Sequence, residues 1–245
     1  MSHAPLATVP TGPVDVPQRV RELADGDDIR AVWINQLDGV TFRLTAEAGT
    51  SRYVKWVAAG TPELDLTAES ERLVWASRWV AVPRVLASGS DEAGSWLVTA
   101  GINATSAVDP RWVAEPATAA RAIGRGLRIL HGSLPVDDCP FDWSAASRMA
   151  TAGIQFDDPP SIDRLVVCHG DACAPNTLLD SAGGFAAHVD FGLLGVADRW
   201  ADLAVASWST EWNYGRGFTD ILYDAYGIEP DAERIDYYRR LWDAT

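Results

Sequence analysis

The chain has 245 residues, 47% of them hydrophobic, enough for one well-formed core or two modest lobes. Its 20 Lys and Arg stand against 34 Asp and Glu, a formal net charge of −14. That balance argues against a nucleic-acid partner, whose phosphates need a basic footprint. It serves solubility, and it would also draw in a cationic ligand by long-range attraction.

Three cysteines, Cys139, Cys168 and Cys173, are too few and too uneven for a disulfide framework, which points to a reducing cytoplasm. Cys168, His169 and Cys173 lie close together, but their spacing fits no standard zinc pattern. The opening MSHAPLATVPTGPVDVP lacks a basic start and an apolar centre, so it reads as a loosely held arm and not as a signal peptide. No apolar run approaches the ~18 residues that a membrane span needs, so no membrane partner is expected. A monomer or weak dimer is the expected state.

Along the chain, Ile29–Ile34 is a short apolar-rich stretch followed by the turn Asp38-Gly39. Val40–Thr45 and Arg52–Val57 read as strands joined by Glu47-Ala48-Gly49-Thr50. Leu64–Trp79 reads as a helix, capped by Asp65 or Thr67 and ended by Val82-Pro83. Val85–Ser88 and Ser95–Thr99 are further strands, and Ala100-Gly101 looks like a hinge. Beyond it the pattern turns helical. Pro116–His131 carries a stripe of Ala119, Ala122, Ile123, Gly126, Leu127 and Leu130. Asp202–Ser209, Thr219–Tyr226 and Asp231–Trp242 are also expected to be helices. Strands with one helix, a hinge, then mostly helices predict a two-lobed α+β chain.

The segment LVVCHGDACAPNTLLDSAGGFAAHVDFG holds the chemistry. Leu165–Cys168 suits a buried strand, and His169-Gly170-Asp171 leaves it on a glycine turn. Leu178–Asp180 and Phe185–Val189 should form a hairpin, which would set Asn176 and Asp190 nearly opposite each other. An amide oxygen and a carboxylate would converge there, both hard ligands of the kind Mg²⁺ takes, with Asp171 beside them. An Asp, an Asn five residues later and then Asp-Phe-Gly is the kinase pattern. His169-Gly170-Asp171 stands where protein kinases have His-Arg-Asp, and the glycine form is that of small-molecule kinases.

A kinase also needs a cation on the nucleotide phosphates. Lys55 sits near the end of a predicted strand among apolar neighbours. Its carboxylate partner is expected on the following helix, with Glu69 preferred over Glu71 and Glu63. Tyr53 faces the same side of the strand as Lys55, either to stack on adenine or as a core aromatic. Backbone groups near Thr99, Ala100 and Gly101 would read the adenine edge. Asn35–Val40 would be the phosphate loop, with a single glycine and no serine.

VCHGDACAPNTLLD, HVDFGLLGVADRWADLA and LHGSLPVDDCPFD resemble the signature segments of aminoglycoside 3′-phosphotransferases, and the likeness runs from about Ile34 to the end. It implies a bilobal protein-kinase-like α+β fold. An antiparallel N-lobe over residues 1–100 would bind nucleotide, and a mostly helical C-lobe over 101–245 would carry the catalytic hairpin and the substrate. It implies transfer of the γ-phosphoryl group of ATP, or GTP, to a hydroxyl of a cationic aminoglycoside, with antibiotic resistance as the consequence. On the matching positions Asp171 would be the catalytic base, Asn176 and Asp190 the Mg²⁺ ligands, and Lys55 and Glu69 the phosphate-binding pair. Asp198 and Asp202 would brace the catalytic loop. The segment between Cys139 and His169 is shorter than the family's, which carries an acidic helical insertion there to hold the cationic drug. The remaining candidates for holding the drug are Asp157, Asp158, Glu211, Asp243 and the end carboxylate of Thr245. Trp200, Trp208, Trp212 and Trp242 could shape an aromatic wall or serve packing. A kinase for another amino-sugar or amino-alcohol, or a non-catalytic nucleotide-binding module, are the competing readings.

Overall fold

A computed structural model describes residues 7–35, 37–61 and 65–245. Gln36 of the expected phosphate loop, Glu63 and the first residue of the expected helix, Leu64, lie outside them. The chain divides into two compact units, Met1–Val74 with Pro83–Ile102, and Trp75–Val82 with Asn103–Thr245.

The first unit is built on β1 (Ala7–Thr8), α1 (Gln18–Ala24), β2 (Asp28–Asn35), β3 (Val40–Thr45), β4 (Ser51–Ala58), α2 (Leu66–Ala76), β5 (Val85–Ser90) and β6 (Gly94–Ala100). α2 gives its last two residues to the second unit. The six strands form one antiparallel sheet in the order β1-β2-β3-β4-β6-β5. Alternation along β4 sorts its side chains. Val54 and Trp56 join the core that Val20 and Ala24 of α1 make with Phe42, Leu44 and Val98. Tyr53, Lys55 and Val57 therefore point to the other face. Asp65 directly precedes α2, and its Oδ1 accepts the N–H groups of Thr67 and Ala68, so Asp65 and not Thr67 is the cap.

The first six residues of the expected loose arm lie outside the described residues, and from Ala7 onward the segment is held more firmly than its composition suggests. Ala7 and Thr8 pair with Asn35 and Ile34, and Val14 and Val16 pack against the first core. Apolar residues spaced among the prolines hold this stretch, and α1 follows directly after Pro17.

The second unit holds β7 (Thr105–Ser106), α3 (Pro110–Val113), α4 (Pro116–Ser133), α5 (Ala145–Ala152), β8 (Leu165–Cys168), β9 (Thr177–Leu179), β10 (Phe185–His188), β11 (Gly195–Asp198), α6 (Trp200–Tyr214), α7 (Thr219–Tyr226) and α8 (Ala232–Ala244). All six residues of the expected α4 stripe are buried. β9 pairs with both β10 and β7, while β8 pairs with β11. α5 and β11 had no counterpart in the sequence reading. Among the described residues no helix is long and apolar enough to cross a membrane.

Candidate active site

β8 carries the chain through the core of the second unit and ends at buried Cys168. Gly170 then turns it with φ 85°, and a Cβ there would come within 2.2 Å of the Leu193 carbonyl oxygen. Only glycine meets both demands, which explains the Gly in His169-Gly170-Asp171. The turn is fastened from beneath by Asp202, fully buried on α6. Its Oδ2 accepts the His169 N–H at 2.6 Å, its Oδ1 the Gly170 N–H at 2.9 Å, and Oδ2 also takes His131 Nε2 at 2.9 Å. His131 Nδ1 is 2.9 Å from the Tyr226 hydroxyl. Burial alone would raise the Asp202 pKa, but His131 first and then His169 and the Gly170 N–H hold the carboxyl below its ordinary range. His131, Cys168 and Asp202 bring three potential ligand atoms within 4.8 Å of one another. The Asp202 oxygens are already filled by N–H donors, so the cluster is a closed brace.

His169 sets the other side of the turn. Its Nε2 lies 2.8 Å from the Val189 carbonyl oxygen, which can only accept, so the proton sits on Nε2. Nδ1 then accepts the Asp171 N–H at 3.3 Å. Asn176, on the 3-10 turn Ala174–Asn176, donates its Nδ2 to the Asp171 carbonyl at 2.9 Å and to Asp171 Oδ2 at 3.0 Å. Asp171 Oδ1 is buried without a hydrogen-bond partner among the described residues, and the Cys173 thiol stands beside the carboxyl. Desolvation, and then the charge of Asp190, raise the Asp171 pKa. Ser209 of α6 accepts the Ala174 N–H at 2.9 Å, and Ser106 donates to the Pro175 carbonyl at 2.8 Å.

The hairpin β9–β10 forms with a bulge between Phe185 and Ala187. Asn176 precedes β9, and its carbonyl accepts the Val189 N–H at 2.9 Å. Asn176 is thus opposite Val189, with Asp190 one residue further on. Asp190 has φ 67°, a left-handed conformation uncommon outside glycine but tolerated by Asp. With the amide nitrogen of Asn176 committed to Asp171, its oxygen and the Asp190 carboxylate make an all-oxygen donor pair, suited to a hard divalent cation.

In the first unit, Lys55 Nζ lies 2.7 and 2.8 Å from the two oxygens of Glu69, which is buried at 4% exposure. Tyr53 pairs directly with Thr99 across β4 and β6. Gly101 is pressed against Ser51, where a Cβ would fall 2.6 Å from the carbonyl oxygen. Its N–H donates to that oxygen at 2.8 Å, and the Ala100 N–H donates to Arg84 O at 2.9 Å. A ligand would therefore meet carbonyls here and not these two N–H groups. The β2–β3 loop is also more closed than expected. Asn35 Oδ1 accepts the N–H groups of Leu37 at 3.0 Å and Gly39 at 2.8 Å, so two donors expected to cradle phosphate are already engaged.

Three of the five acids expected to hold a cation have arginine partners instead. Asp157 pairs with Arg240 at 2.8 Å, Glu211 with Arg239 at 3.1 Å, and Thr245 O accepts from Arg148 at 2.6 Å. Asp158 and Asp243 are exposed. Asp198 caps α6 through the Trp200 N–H and takes the Asp163 N–H at 2.7 Å. His131 and Ser209 escaped the sequence reading. His131 did leave a signal, since a polar residue within an apolar helical stripe needs a buried partner.

The chain is similar to a crystal structure of an aminoglycoside-3′-phosphotransferase of type VIII, with a TM-score of 0.75 and 29% identity over 92% of this chain and 97% of that one. It also matches an aminoglycoside phosphotransferase from Streptomyces rimosus in complex with ADP and streptomycin, with a TM-score of 0.67 and 28% identity over 90% and 94%. These likenesses define a protein-kinase-like small-molecule phosphotransferase fold. The model of the phosphotransferase enzyme family matches residues 150–241. An aminoglycoside 3′-phosphotransferase of Streptomyces fradiae is 31% identical over 76% of this chain and 82% of its own length. A streptomycin 3″-kinase of Streptomyces griseus is 32% identical over 88% and 92%. The chain belongs to the aminoglycoside phosphotransferase family.

Proposed function

We propose that the protein transfers the γ-phosphoryl group of ATP or GTP to the 3′-hydroxyl of an aminoglycoside, a modification that gives resistance to the drug. The observation that carries this reading is the Asp171 carboxyl. Asn176 fixes one oxygen, and the other is buried with no hydrogen-bond partner among the described residues. An acceptor hydroxyl would supply the missing donor.

In this reading the acceptor oxygen attacks the γ-phosphorus while the bond to the β-phosphate oxygen breaks and the nucleoside diphosphate leaves. The hydroxyl proton goes to Asp171 Oδ1, and the raised pKa of that carboxyl suits it to the task. Positioning does most of the work, as in other phosphoryl transfers. Lys55, oriented by Glu69, would hold the phosphates in the first unit, with Tyr53, Thr99 and the Gly101 carbonyl on the base. The first unit would then be the nucleotide-binding lobe and the second the catalytic and acceptor-binding lobe. Asn176 and Asp190 would hold Mg²⁺, which supplies charge neutralisation for the phosphates when bound. Asp158 and Asp243 are the acids left for the acceptor's ammonium groups.

The likeness to a streptomycin 3″-kinase at 32% identity favours a second reading, in which the acceptor is streptomycin and the 3″-hydroxyl is modified. A coupled ADP- or GDP-release assay with kanamycin, neomycin and streptomycin separates the two. Asp171→Ala is expected to lower turnover by about 10²–10⁴-fold with an unchanged unfolding midpoint. Turnover that survives in Asp171→Ala overturns the mechanism, and none with any aminoglycoside overturns the acceptor.

A further inference from the structure

α6 and α8 bring three indoles together. Trp208 and Trp212 lie one turn apart on α6 with ring centroids 4.6 Å apart and planes inclined by 47°. Trp242 of α8 stands 6.3 Å from the first and 6.2 Å from the second, inclined by 74° and 45°. Arg239 fastens the two helices beside them, donating to the Ala204 carbonyl, Ser207 Oγ and Glu211 Oε1.

Simple packing would bury such rings. Trp212 instead keeps 40% of its surface exposed, and Trp208 and Trp242 are half-buried. Large aromatic surface left in water in one patch marks a recognition site more often than a packing one. The patch is tied to the catalytic turn through α6. Ser209, next to Trp208, accepts the Ala174 N–H, and Trp212 lies one turn on, where i,i+3 side chains are neighbours.

The chemistry of the patch favours a cation. Indole faces carry the negative side of the ring quadrupole and are the best aromatic partners for ammonium and guanidinium groups. One guanidinium is already there, with the Arg239 Cζ 5.8 Å from the Trp208 ring centre. Exposed Asp243 adjoins Trp242, and the chain as a whole carries −14. Meanwhile three of the carboxylates expected to serve a cationic acceptor are paired with arginines.

We propose that Trp208, Trp212 and Trp242 form the acceptor-recognition face of this protein, holding an ammonium or guanidinium group of the acceptor by cation–π attraction where carboxylates are spent on arginines. That the occupant is the phosphorylated acceptor rests on the function proposed above; that the face binds a cation does not. Two measurements test the parts separately. In steady-state kinetics, Trp212→Leu and Trp242→Leu are expected to raise the acceptor KM about 5- to 30-fold, while the nucleotide KM stays within about 2-fold. Trp212→Phe, which keeps a ring, should recover most of the loss. Acceptor KM unchanged in both leucine variants overturns the acceptor role, and so does a loss shared equally by the nucleotide KM. In the second measurement, tryptophan fluorescence follows titration with tetramethylammonium chloride and, at matched chloride, with uncharged neopentyl alcohol. Saturable quenching by the cation alone, abolished in Trp212→Leu, is the expected result. Equal responses to the two probes, or none, overturn the cation site itself. Cation binding in a wild-type protein that phosphorylates no aminoglycoside would sink the proposed function and leave the site standing.

Discussion

Two buried polar residues set how the turn at 169–171 responds to mutation and acid. Asp202 accepts three N–H groups at 2.6–2.9 Å, two from the backbone that presents Asp171. Asp202→Asn would turn amide hydrogens against one of those donors and remove the charge facing His131. It is expected to cost about 3 kcal/mol in urea unfolding and to lower kcat while leaving nucleotide KM nearly unchanged. His188 responds to pH. Desolvation first, and then neighbouring His169, lower its pKa from an ordinary 6.5 to about 3. Between those values the unfolded chain holds a proton that the folded chain refuses. The stability present above pH 6.5 is therefore lost as pH falls toward 3, by up to about 2 kcal/mol at pH 5. Urea midpoints at pH 7 and pH 5 check this, since His188→Leu should show the smaller drop between them. Asp202 shares the sign over a more acidic window, because its lowered pKa makes its contribution fade only as pH falls through the carboxylate range.

Glycine chemistry decides how the helices meet. Gly124 interrupts α4, where a glycine costs ~1 kcal/mol relative to alanine. A Cβ there would come within 2.2 Å of the Leu222 carbonyl oxygen on α7. Gly124→Ala is therefore expected to lower the melting temperature by several degrees despite its better helix propensity, as calorimetry would read. Features with strong local signals were legible in the sequence. The α4 stripe follows the helical period, Thr219–Tyr226 matches α7 at both ends, and the strand-like runs Leu178–Asp180 and Phe185–Val189 around Ser181-Ala182-Gly183-Gly184 pointed to the hairpin. What escaped depends on distant partners. β11 is four residues long and forms by pairing with β8, about thirty positions earlier, and with the backbone around Asp142, more than fifty positions earlier. The acids looked free because their arginines are remote in sequence: Arg240 is 83 residues from Asp157. The Asn35 knot was hidden for another reason, since nothing in composition says whether a loop N–H is spent inside the loop.

At the scale of the whole molecule, the −14 charge should act on the rate of encounter. A polycationic acceptor is drawn in and a polyanionic nucleotide is repelled, and salt weakens both effects. Raising KCl from 20 to 300 mM is expected to raise the acceptor KM several-fold and to leave the nucleotide KM level or lower. The division of the chain has a practical consequence as well. The second unit is not one continuous stretch, because it includes Trp75–Val82 as well as everything from Asn103. Trp75 is 8% exposed and packs against Trp79 and Phe141, with ring centres 4.6 and 6.0 Å away. A fragment expressed from residue 103 onward would lack that cover and expose the face of Phe141 that meets Trp75. Attempts to produce the second unit from residue 103 onward in isolation should therefore yield insoluble material unless the Trp75–Val82 stretch is supplied, either spliced ahead of it or added back as a separate peptide.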